Sequence, residues 1–183
     1  MRRKAASMLF ATTIALSAGV VSAAPASAVQ PALCQWVKGY GAFKPGLPAY
    51  GVKTKVKPTF GISAAGLGEC SGGGVSRGTL VATLKAGVAG NCNTLRKFVD
   101  LKFTGTAKIT WNTNTVSHIA NATMTPVPQS QMVRMRLSGK VSSGKFAGET
   151  LQSEFNINAT VGGCMKSGLT KVSIRQAHPL TIR

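Results

Sequence analysis

The chain has 183 residues, 22 of them Lys or Arg against 4 Asp or Glu, for a formal net charge of +18. Hydrophobic residues make up 44% of it and charged residues 14%, which excludes a disordered polycation poor in apolar side chains. The length allows one domain with an ordinary core, and so few carboxylates leave little for paired-acid or hard-cation chemistry.

Residues 1–28 read as a signal peptide. Arg2, Arg3 and Lys4 form its positive end, the run 8–21 carries no charge, and Ala26-Ser27-Ala28 supplies small residues for cleavage. Val21-Ser22-Ala23 is a second possible site. The uncharged run is shorter than the roughly 20 apolar residues that span a bilayer. No second long apolar run follows, so the expectation is a secreted, extracellular chain, free or associated with the cell envelope, with no transmembrane anchor in its mature part.

Residues 29–66 are rich in Pro, Gly and aromatics and read as an irregular basic and aromatic arm with one strand over 52–56. Residues 67–183 read as a β-domain that folds as a single unit with the arm. Leu80, Ala82 and Leu84 share one face of a strand over 79–85. Residues 93–99 hold the one helical spacing, Leu95, Phe98 and Val99, enough for a single turn. Val99, Leu101 and Phe103 alternate with Asp100 and Lys102, and Ala107, Ile109 and Trp111 with Lys108 and Thr110. Trp111 is therefore expected in the core.

Asn112-Thr113-Asn114 reads as a tight turn, because Asn tolerates the left-handed conformation. The chain should return over 115–123 with Val116, His118 and Ala120 on one side, which makes His118 a packed core histidine. Val133, Met135 and Leu137 alternate with Arg134 and Arg136. Leu151, Phe155, Ile157 and Ala159 share a face, and Val172 and Ile174 mark the last strand. Turn residues cluster at 72–74, 87–90, 126–128, 142–144 and 162–163. Seven to eight short strands at this spacing predict an all-β fold, an antiparallel sandwich or barrel.

The four cysteines, Cys34, Cys70, Cys92 and Cys164, all follow the export signal. An even count in an exported chain reads as two disulfides. Three pairings are open. Sequence distance favours Cys70 with Cys92, which closes a compact loop, and Cys34 with Cys164, which ties the two ends. No C-x-x-C pair is present and His118 and His178 stand apart from the cysteines, so no metal or cofactor is expected.

The signal peptide, Cys70-Ser71-Gly72, the segment 105–112 with its Gly105, Trp111 and Asn112, and the segment 139–148 with its Gly139, Phe146 and Gly148 resemble those of small exported actinobacterial β-domain proteins. The resemblance covers roughly residues 70–175. It implies a β fold and export, and it implies no activity.

Catalytic patterns are thin. Gly74-Val75-Ser76-Arg77-Gly78 matches the nucleophile elbow G-x-S-x-G, with acids and His178 following. That elbow needs a strand before the serine and a helix after it. Here Gly72-Gly73 precedes it and a strand-like run follows, so the expected structure is a turn. Glu149 and Glu154, the only close pair of acids, would point to opposite faces of one strand. No catalytic residue is assigned and the expectation is a protein that is not an enzyme, with a small hydrolase through Ser76 as the remote alternative. Asn121 and Asn158 fit the glycosylation pattern and read as ordinary strand residues.

Charge carries the functional content. Residues 29–68 hold no acid, and Lys38, Lys44, Lys53, Lys55 and Lys57 are interleaved with Trp36, Tyr40, Phe43, Tyr50 and Phe60. Cations neutralise a polyanion and aromatic faces stack on rings. Lys53, Lys55 and Lys57, with Trp36 and Tyr40, are therefore the candidate binding residues. An edge strand also carries lysines to avoid pairing with another molecule, so a merely solvated face competes with this reading. The expected function is an exported, non-enzymatic binding protein of the cell envelope or extracellular space, drawn to an anionic polymer or a membrane surface. The alternative is a secreted effector or inhibitor that binds a protein partner.

Overall fold

The structure, a computed structural model, describes residues 30–97, 101–127 and 133–183. The expected signal peptide, residues 98–100 of the expected helix and strand, and Pro128 lie outside them.

Eight strands run in chain order: β1 (Ala32–Leu47), β2 (Thr59–Ser71), β3 (Gly78–Ala86), β4 (Phe103–Trp111), β5 (Val116–Pro126), β6 (Val133–Gly144), β7 (Thr150–Gly163) and β8 (Gly168–Ile182). Each pairs antiparallel with the next, and β8 pairs back with β1, which closes the sheet into a barrel. Closure leaves no edge strand to protect. Of the two expected architectures, the barrel is the one formed.

Eight strands enclose a space just wide enough for side chains to fill. Leu80, Ala82 and Leu84 of β3, Phe103, Ala107, Ile109 and Trp111 of β4, and Met135 and Leu137 of β6 are all buried. The outward positions of β4 are Thr104, Thr106, Lys108 and Thr110, all exposed. The wall is thus apolar inside and polar outside, the reverse of a barrel that faces lipid. Among the described residues no helix is long and apolar enough to cross a membrane.

The two ends are closed differently. One end holds the connection 48–58, the connection between β3 and β4 with α1 (Cys92–Lys97), and the β7–β8 turn. Phe43, Phe60 and Phe103 cluster inside the barrel, with ring centroids 4.7 to 6.2 Å apart. Leu95 of α1 and Leu101 are also buried. α1 has six residues and is longer than the single turn expected. Asn91 caps it, accepting the N–H groups of Asn93 and Thr94 on Oδ1, while Thr94 Oγ1 accepts the N–H of Asn91. The opposite end holds the turns 72–77, 112–115 and 145–149. There Trp111 meets Phe146 edge to face.

Four expectations need correction. First, residues 29–66 are no irregular arm: they supply all of β1 and more than half of β2. The period was hidden because inward positions between Val37 and Phe43 are Gly39 and Gly41. A side chain at Gly39 would sit 2.6 Å from the Ala65 backbone, and one at Gly41 2.6 Å from the Phe60 ring. Second, residues 52–56 form no strand and belong to the connection between β1 and β2.

Third, the disulfides join Cys34 to Cys70 and Cys92 to Cys164. Cys34 and Cys70 are register partners on adjacent strands. Cys70 and Cys92 lie at opposite barrel ends, separated by the 9 residues of β3, about 30 Å of strand. Fourth, His118 and Ala120 are exposed, whereas Ser117, Ile119, Ala122 and Met124 face inward. Ser117 turns in because the Trp111 indole N–H donates to its Oγ at 2.9 Å. The register shifts of β5 against β4 and β6 after Ile119 restore the apolar phase. On β7 Ala159 is likewise exposed, and Ser153 takes an inward position between Leu151 and Phe155.

Candidate functional site

The α1 end is built from three tied connections. The Cys92 N–H donates to Pro48 O at 3.0 Å, the Tyr50 N–H to Cys164 O at 2.9 Å, and the Gly90 N–H to Val56 O at 3.3 Å. Asn91 Nδ2 donates to Val52 O at 2.7 Å. With the Cys92–Cys164 bridge, these bonds hold residues 48–58 against the start of α1 and the β7–β8 turn. Lys53, Lys55 and Lys57 all stand exposed on this loop, and Lys53 and Lys55 border a shallow concavity with Asn91 and Thr94.

Further cations surround it. Lys44 lies near the end of β1, Lys85 near the end of β3, Lys102 just before β4, Lys166 in the β7–β8 turn and Lys171 near the start of β8, all exposed. The described carboxylates lie elsewhere. Glu69 and Glu149 are near the Trp111 end. Glu154, in the middle of β7, takes two hydrogen bonds from Arg136 at 2.9 and 2.7 Å, with Arg134 at 3.8 Å and His178 at 3.5 Å. Among the described residues, therefore, no acid offsets the lysines of the α1 end. The valines of the loop, Val52 and Val56, are exposed too, so the three lysines share a loop and not a strand face.

The aromatic candidates separate. Both are on the outer face of β1, Trp36 being 44% exposed and Tyr40 64%. The Trp36 ring covers Gly68 of β2: a Cβ there would be 2.0 Å from it. This glycine makes room for the indole on the outer wall near the Trp111 end. Eight residues of extended strand, about 26 Å, then separate Trp36 from Lys44. Trp36 is thus remote from the lysine loop.

Tyr40 instead borders an outer groove of about 680 Å³ running across β7, β8, β1, β2 and β3. Ala42 and Gly61, which are register partners, lie along it. Lys44 and Lys171 stand on its sides, with Thr83 and Thr160. Sequence reasoning missed Gly61, Thr83, Thr160 and Lys171. They come from four different strands, and no local pattern connects them.

The remaining chemical patterns resolve locally. Ser76 is exposed in the β2–β3 turn, its N–H bound to Asn112 Oδ1 at 3.0 Å, and strand β3 follows it. His178 pairs with Glu154 on the outer wall. His118 borders a shallow outer concavity with Ser142 and Ser143. Among the described residues no group of three His, Cys, Asp or Glu side chains could hold a metal ion. No protein-family model, curated protein or solved structure matches the chain. The two disulfides mark an oxidising compartment.

Proposed function

We propose that this is an exported, non-enzymatic binding protein of the extracellular space or cell envelope that engages an anionic polymer through the α1 end of its barrel. One observation carries the reading: the exposed lysines of the tied connections, Lys53, Lys55, Lys57 and Lys166, stand together with no described carboxylate among them. Such a surface attracts polyanions, and each phosphate it neutralises releases counterions. Pinning by the disulfide and the backbone bonds lowers the entropy lost on binding.

The test is retention of the purified protein on immobilised polyphosphate and on a neutral matrix over a series of salt concentrations. Strong retention at low salt that falls steeply with salt is the expected result. Equal, salt-insensitive behaviour on both matrices overturns it. A protein partner is the second reading, favoured by the exposed apolar side chains of the same end, Val52, Val56, Val88 and Met165. Its signature is a defined partner bound as well at high salt as at low.

A further inference from the structure

Gly61 sits within β2, where glycine weakens a strand by offering no side chain to pack. Close packing explains other strand glycines here: a Cβ on Gly39, Gly41 or Gly105 would come within 2.6, 2.6 or 2.1 Å of a neighbour. Gly61 is different. Its backbone is not left-handed, and a Cβ there would meet only Ala82 O, at 3.9 Å. Neither conformation nor packing asks for glycine at this position. The irregularity of β2 falls after Ile62, and Gly61 itself is in register with Ala42 and Thr83; the close approach of a ligand is another reason a strand keeps a glycine.

The space over Gly61 opens into the outer groove, whose volume falls within the range of small-ligand sites. Two small outward residues, Ala42 between Tyr40 and Lys44 on β1 and Gly61 between Thr59 and Ser63 on β2, leave its middle unfilled. Hydroxyls of Thr59, Ser63, Thr83 and Thr160 line it, each able to donate and to accept. Tyr40 adds an exposed ring, and Lys44 and Lys171 add two ammonium groups with no carboxylate in the lining.

We infer that this groove binds a ring of an acidic glycan. A sugar ring fits a flat floor of small residues, its hydroxyls match the threonines and serine, and the Tyr40 ring covers one face. The acid group pairs with Lys44 and Lys171. Bare polyphosphate would leave the apolar floor wet, and a neutral glycan would leave both ammonium groups unmatched. The sign of the ligand's charge rests on the polyanion reading above; the site itself is separate from the lysine loop.

The experiment is calorimetric titration of the full mature protein with hexagalacturonate and with a chondroitin sulfate hexasaccharide, against maltohexaose and inorganic polyphosphate. An acidic oligosaccharide should bind and maltohexaose should not. G61L should weaken that binding about tenfold or more, because leucine fills the floor, while polyphosphate binding and the melting temperature stay unchanged or the latter rises. Tyr40→Ala, at an exposed position, should weaken the oligosaccharide in the same way and gives an independent reading should G61L fold poorly. Acidic oligosaccharides that bind as well to both variants as to the parent overturn the groove and leave the lysine loop standing. Failure of both acidic oligosaccharides while polyphosphate binds also overturns it. Failure of every anion at low salt removes both readings together.

Discussion

Trp111 and Phe146 meet edge to face with ring centroids 5.5 Å apart and planes inclined at 75°, closing one end of the barrel. Trp111 comes from the last residue of β4 and Phe146 from the turn between β6 and β7, where it holds a left-handed φ of 64°. A phenylalanine tolerates that conformation only where the surroundings hold it there. Here the ring packs against Trp111 and Gly73. The indole N–H is satisfied by Ser117, whose hydroxyl donates in turn to Lys145 O.

Trp111→Ala should therefore cost about 3–5 kcal/mol, the range for truncating a large core aromatic. Ser117→Ala, which leaves the buried indole N–H unpaired, should cost about 1–3 kcal/mol. Urea denaturation of the two single variants and the double variant measures both and their coupling. A double variant equal to the sum of the singles would show that the hydrogen bond contributes nothing.

Peptide mapping without reduction should recover Cys34 linked to Cys70 and Cys92 linked to Cys164. The sequence separations are 36 and 72. Both bridges should then stabilise by about 4 kcal/mol in the chain-entropy picture, the longer loop slightly more. Replacing Cys92 and Cys164 together by Ala should also loosen the 48–58 loop, read as faster amide exchange at Tyr50 and Gly90. Unchanged exchange there would show that the hydrogen bonds hold the loop without the bridge.

Lys53, Lys55 and Lys57 changed together to Gln should flatten the dependence of log affinity on log salt for polyphosphate by about two to three units. The matched control is Arg77, Lys140 and Arg183 changed to Gln in the other half of the barrel. Equal losses from both triple variants would mean that net charge acts without a site. All six positions are exposed, so stability should move within about 0.5 kcal/mol for each.

Glu154→Gln should destabilise by about 1–3 kcal/mol. Its side chain is only 12% exposed and accepts two charged hydrogen bonds from Arg136, with Arg134 and His178 close by. Arg136→Gln should cost less, about 0–1 kcal/mol, because Arg136 is 55% exposed and the other cations remain. Thermal melts of the two variants decide it, and the reverse order would show that Arg136 contributes more than the carboxylate it pairs with.

His118→Ala should shift stability by no more than about 0.5 kcal/mol, since the imidazole faces solvent. Its neighbour Ile119 is buried, and Ile119→Ala should cost about 2–5 kcal/mol. A large loss from His118→Ala alone would restore the core reading that the register of β5 overturned.

What the sequence determined by itself is what one strand can express alone. In β3, β4 and β6 the inward and outward residues alternate along a single segment, so Leu80, Ile109, Trp111 and Leu137 could be placed in the core before any partner was known. The same holds for the turn at Asn112-Thr113-Asn114, where Asn114 takes a φ of 58°, and for the even cysteine count. Only the tertiary structure decided the rest, because it depends on which segments meet. β1 hides its period behind Gly39 and Gly41, required by the close approach of Ala65 and Phe60 on another strand. Ser117 looks like a wet-face residue until the Trp111 indole is brought to it. Cys34 finds Cys70 because their strands are adjacent and in register, and not because of distance along the chain. Tyr40, Lys44 and Lys171 come to one groove only when β8 closes on β1. That seam joins the two ends of the barrel sequence, and a periodicity read within either strand carries no information about its partner.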